Sequence, residues 1–141
     1  RSAKALGAKV LAGGKRPEAF SKGYFYEPTV LSDLKPEMRV LKEEIFGPVM
    51  PIIPFQTQAE AISLANQTEY GLAAYLWTRD INTAVHCAEQ LEFGMIGINE
   101  WAPHATEAPF PGWKQSGLGQ ESGKEGLEGY LEKKLISLGS L

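Results

Sequence analysis

Between Val49 and Asn99 the apolar positions fall into an order that predicts alternating strands and helices. Residues 49–55 are apolar and extended, and Pro51 and Pro54 mark them as an edge strand. Thr57-Gln58-Ala59-Glu60 matches a capping box, in which a hydroxyl and a carboxylate reciprocally satisfy free amides at a helix start. Ala61, Ile62, Leu64 and Ala65 give that helix an apolar side as far as Asn66. Tyr70-Gly71 makes a turn, and residues 72–78 are almost continuously apolar, as in a strand buried on both faces. Asp80 caps a second helix reaching to Phe93, with Ile81, Ala84, Val85, Ala88 and Leu91 on one stripe. Gly94 ends it, and residues 95–99 form another short apolar strand. Strand–helix–strand–helix–strand with short links predicts a parallel α/β unit with right-handed crossovers.

The flanks are less regular. Arg1-Ser2-Ala3-Lys4-Ala5-Leu6-Gly7 reads as the last turns of a helix closed by glycine, which leads us to expect further residues upstream. Residues 8–12 suit a short strand closed by Gly13-Gly14, and residues 15–22 a polar loop. Residues 24–31 suit a strand with Pro28 at an edge or bend, and residues 36–41 a helical turn. Residues 101–118 carry three prolines and several glycines and are expected to be a long loop, ordered by Trp101, Phe110 and Trp113. Ser122-Gly123-Lys124-Glu125 is a second capping-box match, opening a helix to about Glu132. Gly126 and Gly129 weaken that helix, each by about 1 kcal/mol relative to alanine if exposed. Residues 134–138 are expected to finish the chain as a short strand.

Composition narrows the function classes. At 141 residues with 43% hydrophobic and 22% charged positions, the chain suits one compact domain with a real core. A formal net charge of −3 offers no general attraction to nucleic acid. No apolar run approaches the roughly 20 residues that span a bilayer, and the first residues do not open a secretory signal. The single cysteine, Cys87, permits no intrachain disulfide, which fits the cytoplasm or another reducing compartment.

Candidate chemistry centres on Leu41-Lys42-Glu43-Glu44-Ile45-Phe46-Gly47-Pro48-Val49. If Glu44 and Phe46 lie on extended backbone, their side chains leave the same face, an acceptor for vicinal hydroxyls beside a flat surface for a ring. The plainer reading is a surface glutamate next to a core phenylalanine before a turn, and these residues alone favour it. Cys87 sits mid-helix beside the apolar stripe and reads as a packing cysteine. His86 points about 100° away from it on a helix, a poor base partner. His86 and His104 match no metal-ligand spacing with a cysteine, so no metal site is expected. Gly117-Leu118-Gly119-Gln120-Glu121-Ser122-Gly123 has one residue too many for a dinucleotide fingerprint and follows a loop rather than a strand. No credible nucleophile–base pair is present.

Three stretches together resemble the C-terminal portion of the aldehyde dehydrogenase superfamily: Lys42-Glu43-Glu44-Ile45-Phe46-Gly47-Pro48-Val49, then Ala65-Asn66 through Tyr70-Gly71-Leu72-Ala73, then Pro109-Phe110 through Lys114-Gln115-Ser116-Gly117-Leu118-Gly119. The last of these, with Gly126 and Tyr130-Leu131-Glu132-Lys133-Lys134, looks most like the succinate-semialdehyde dehydrogenase branch. The likeness covers essentially the whole chain.

The resemblance implies an α/β fold, the parallel catalytic-domain portion of the family fold followed by an oligomerisation strand. Residues 1–118 would then be catalytic domain with a substrate-mouth loop at 100–118, and residues 119–141 a helix and a strand that joins a neighbouring copy. It implies that Glu44 accepts hydrogen bonds from the nicotinamide ribose of NAD or NADP and that Phe46 packs beside the nicotinamide. Both carboxylate oxygens accept and both ribose hydroxyls donate, which suits the task. It places Phe110 near the aldehyde tunnel. His104 stands where succinate-semialdehyde enzymes carry a serine that helps bind the substrate carboxylate, and a histidine can also donate to a carboxylate. Phe110-Pro111-Gly112 replaces the usual two-glycine corner. A four-carbon semialdehyde acid is thus the leading expectation, with other acidic, aliphatic or aromatic aldehydes open. The family's catalytic cysteine, general base, oxyanion asparagine and most of its cofactor domain lie N-terminal to the matched region, and Cys87 does not match that cysteine. The chain alone is therefore expected to be inactive. A stand-alone binding or scaffold domain is the competing reading.

Overall fold

Backbone pairing in this chain is built from many short strands rather than one long sheet. The computed structural model describes residues 2–140, which divide into two units after Ala61.

In the first unit, α1 (Ser2–Ala5) leads into β1 (Lys9–Ala12), β2 (Thr29–Ser32), one 3-10 turn at Arg39–Leu41 and β3 (Val49–Pro51). β2 is central, antiparallel to β1 and parallel to β3. Thr29 and Leu31 are buried along it. Leu31 packs with Ala3, Ala8 and the fully buried Met38, and Val10, Leu34, Val40 and Val49 surround this small core. The strand expected at 24–31 begins only at Thr29, because Pro28 has no N–H to donate to a ladder. The edge strand expected at 49–55 is assigned only as far as Pro51; Ile52 N still donates to Leu31 O at 2.9 Å, and the next donor in the alternation would be residue 54, a proline with no N–H.

α2 (Gln58–Asn66) spans the division. Its capping box is shifted by one residue. Glu60 N donates to Thr57 Oγ1 at 3.2 Å, but the Glu60 carboxylate accepts from Gln56 N at 2.7 Å. The second unit continues with β4 (Tyr70–Gly71), β5 (Ala73–Leu76), α3 (Ile81–Gln90) and β6 (Met95–Ile98). Four short elements follow: β7 (Phe110–Pro111), β8 (Trp113–Lys114), β9 (Gln120–Glu121) and α4 (Glu125–Glu128).

One of the two expected parallel crossovers forms in a shared sheet. β5 and β6 run parallel in register from Ala73↔Met95 to Leu76↔Ile98, linked by α3. β3 and β5 lie in different sheets, so residues 49–99 do not make one three-stranded parallel sheet among the described residues. Tyr70-Gly71, expected as a turn, instead forms β4 and pairs antiparallel with β8.

The second capping box does not form. Ser122 adopts φ 58°, whereas an N-cap needs extended backbone, and α4 is a single turn that starts after Lys124 with no side-chain cap. Gly126 and Gly129 remove the propensity that would have prolonged it. Residues 131–140 are exposed and carry no regular element. A strand is defined by its ladder partner, and the described chain supplies none for residues 134–138.

Asp80 does cap α3, accepting from Asn82 N at 2.9 Å and Thr83 Oγ1 at 3.0 Å. The backbone bond from Asn82, then the hydroxyl of Thr83, hold its carboxyl below the usual aspartate value. A carboxyl depressed on folding stabilises fully above its unfolded pKa and loses that contribution as pH falls through its folded pKa. Asp80→Ala is therefore expected to lower the thermal midpoint at neutral pH, with the difference from the parent shrinking on acidification below the usual carboxylate range. Thermal unfolding followed by circular dichroism across that range checks it.

Candidate functional site

The first group of candidate residues follows the 3-10 turn. Arg39 reaches forward to Glu43, four residues on, Nε to Oε1 at 2.7 Å and a terminal nitrogen to Oε2 at 2.8 Å. Those bonds hold the Glu43 carboxyl below its ordinary value and raise the Arg39 guanidinium. The neighbouring Glu44 makes no hydrogen bond or ion pair with any described residue. The structure thus separates two adjacent glutamates, one tied to its own turn and one left with both oxygens open.

From Glu44 to Phe46 the chain has no helical or turn character and the exposure alternates. Ile45 is half-buried and lines a cavity of ≈ 640 Å³ with Val10, Leu31, Val40 and Val49. Glu44 and Phe46 both face outward, and Phe46 is 97% exposed. This corrects the plainer expectation of a core phenylalanine, because Ile45 occupies the inward position. The segment is anchored at its end, where Pro48 O accepts from Thr29 N at 2.8 Å and Gly47 N donates to Ile45 O at 2.8 Å.

The second group belongs to the second unit. The stretch expected to be loop at 100–118 contains β7 and β8. β7 pairs with β9, which bends the segment back on itself and puts the half-buried Phe110 in the wall of a pocket of ≈ 140 Å³. Leu72, Ser116, Leu118 and Gln120 share that wall. His104 is exposed on irregular backbone before β7 and does not line the pocket.

Residue-by-residue reading missed what fixes this segment. Ser116 Oγ accepts from Gly71 N at 2.9 Å, and Gln115 N donates to Glu69 O at 2.9 Å. Gly94 lies so close to the Pro111 carbonyl that a methyl group there would collide with it. Lys114 adopts φ 52°, a left-handed conformation that costs a non-glycine residue roughly 1–2 kcal/mol. The Lys114-Gln115-Ser116 string was visible only as a family motif, since local propensity gives no hint of a strained lysine.

Cys87 is half-buried on α3 and His86 is exposed. Among the described residues no three of His, Cys, Asp and Glu converge to hold a metal ion, and no helix is long and apolar enough to cross a membrane.

The sequence model of the aldehyde dehydrogenase family matches residues 1–136. The chain belongs to the aldehyde dehydrogenase family. Among curated relatives, a succinate-semialdehyde dehydrogenase of Paenarthrobacter nicotinovorans is 48% identical over 94% of this chain and 29% of its own length. A betaine aldehyde dehydrogenase of Bacillus subtilis is 47% identical over 92% of this chain and 27% of its own length. Those nearly equal identities single out no succinate-semialdehyde branch, so the likeness is to the family. A solved betaine aldehyde dehydrogenase from Staphylococcus aureus, in complex with NAD+, superimposes with a TM-score of 0.88 at 46% identity, covering 94% of this chain and 28% of that one. The fold is thus a mixed α/β portion of the aldehyde dehydrogenase fold, and the chain spans less than a third of the length of these relatives.

Proposed function

We propose that this chain is part of an NAD(P)-dependent aldehyde dehydrogenase, its first unit supplying residues that hold the cofactor and its second unit, separately, residues that meet the aldehyde. The observation that carries the reading is the outward pair Glu44 and Phe46, an unpartnered carboxylate beside an exposed ring on one side of an extended segment. Both features suit a nicotinamide riboside, whose vicinal hydroxyls donate and whose ring is flat. Bound NAD(P) would supply the hydride acceptor. Glu44 fixes the ribose, and Phe46 screens one side of the ring from water.

Phe110 forms an aldehyde-facing wall, and His104 supplies a hydrogen-bond donor at the approach to it. That donor favours an aldehyde with a distal carboxylate, such as succinate semialdehyde. Residues 1–118 act as catalytic domain, and residues 119–141 carry the helix and the segment that joins a second copy. The exposed Leu135, Ile136 and Leu138 support that last assignment, since an unpaired apolar segment is suited to adding onto a neighbouring sheet edge.

On this reading, thiolate chemistry is supplied by residues outside these 141, and Cys87 has no part in it. Rigorously purified 141-residue chain is expected to show no NAD-dependent aldehyde oxidation, and turnover above a blank preparation would contradict the assignment. In the complete protein, Glu44→Gln is expected to weaken cofactor binding roughly ten-fold, the loss of one charge-assisted hydrogen bond. Titration with NAD+ and NADP+ checks it, and unchanged affinity and turnover would remove Glu44 from the site. His104→Ala is expected to raise KM for aldehydes bearing a carboxylate more than for neutral aldehydes of similar length. Steady-state kinetics on matched pairs checks this, and equal losses on both would exclude carboxylate recognition.

A further inference from the structure

We infer that Lys114 is a positioning residue, the pin that sets the Phe110 wall of the proposed aldehyde pocket. The inference rests on the reading of Phe110 given above. An ammonium group has three N–H donors, and Lys114 Nζ has three acceptors at bonding distance. They are Asn66 O at 2.9 Å, Thr68 O at 3.2 Å and Glu92 Oε2 at 2.8 Å. The Phe93 ring centroid lies 5.8 Å away, within reach of a cation–π attraction. The Lys114 side chain is 24% exposed and Glu92 56%, so the stem is largely covered while the ion pair borders solvent, and all three N–H donors have protein acceptors.

The acceptors come from two separate stretches, the end of α2 with its link to β4 and the link between α3 and β6. Asn66 ties the same two stretches together, its Nδ2 donating to Gln90 O at 2.8 Å and its Oδ1 accepting from Glu92 N at 2.9 Å. Lys114 adds the third stretch, the one that carries Phe110. Its backbone is fixed in the strained left-handed region while its own strand pairs with Tyr70. Such strain persists only where surrounding contacts over-determine it, and functional sites are where it accumulates. Phe110 stands four residues before this pin, and the residues just after it, Ser116 and Gly117, share the pocket with Phe110. Tilting residue 114 therefore alters the pocket from both sides, although Lys114 itself does not line it.

The test uses the complete enzyme. Phe110→Ala first asks whether the wall contacts the aldehyde, and a raised aldehyde KM is the expected answer. Lys114→Met keeps length and removes every donor. It is expected to raise aldehyde KM roughly ten-fold while KM for NAD+ stays within about two-fold, a misplacement effect confined to one substrate. Amide exchange should quicken in residues 110–116 and stay unchanged in α3. Glu92→Gln leaves residue 114 itself intact and should move aldehyde KM the same way by a smaller factor, which keeps the test decisive if Lys114→Met fails to fold. Lys114→Arg, whose planar fork cannot reproduce three converging bonds, should recover only part of the loss. If Phe110→Ala raises aldehyde KM but neither Lys114→Met nor Glu92→Gln does, the pin is overturned while the wall stands. A uniform loss of both KM values and of exchange protection throughout the second unit would also overturn it, marking Lys114 as merely structural. If Phe110→Ala leaves aldehyde kinetics unchanged, the wall reading fails and the inference with it.

Discussion

Backbone amides and carbonyls that leave a regular ladder must be satisfied by something else, and in this chain single polar side chains do it. Thr29 is 3% exposed and bonds in both directions, accepting from Gly14 N at 2.7 Å and donating to Glu27 O at 2.7 Å. Asn99, in a left-handed conformation, accepts from Thr78 N at 2.9 Å and donates to Thr78 O at 2.8 Å. Ser116 and Lys114 serve the second unit in the same way. A buried polar group without a partner costs about 1–3 kcal/mol. Strands of two to four residues leave many backbone groups beyond their ends, and the cost applies most to the buried Thr29, while the exposed bonds of Asn99 and Lys114 fix local geometry rather than repay burial.

That constraint explains where the candidate site residues sit. Glu44, Phe46 and His104 lie on irregular backbone, and Phe110 lies in a two-residue strand. Irregular segments are held at their ends, by Thr29 against Pro48 in one unit and by Ser116 against Gly71 in the other. The side chains between the anchors need not pack inward, and Glu44, Phe46 and His104 are exposed. The adjacent glutamates show the division of labour. Arg39 engages Glu43 and shields the turn, so Glu44 remains the open acceptor.

The elements that depend on local patterning were legible in the sequence. α3 and its Asp80 cap, α2 near its predicted bounds, and the parallel β5–β6 pair follow from periodicity and capping residues. What depends on distant backbone was not. β4 and β8 pair across more than forty residues, and the shifted capping bond at Gln56 and the left-handed Ser122 are set by surroundings that propensity does not contain. The shared outward side of Glu44 and Phe46 was legible because an extended three-residue alternation is local. Lys114 was not, because its three acceptors lie more than twenty residues away in sequence. Family resemblance reached the aldehyde dehydrogenase level and no further, as relatives with different substrates match this portion almost equally.

The central claim is that the open carboxylate of Glu44 exists to grip the ribose of a nicotinamide cofactor. A crystal structure of the complete protein with NAD+ bound tests it most directly. The account predicts a Glu44 oxygen within hydrogen-bond distance of a nicotinamide-ribose hydroxyl, with Phe46 against the ring. Glu44 facing bulk water, or paired with a protein cation while NAD+ occupies its site, would contradict it.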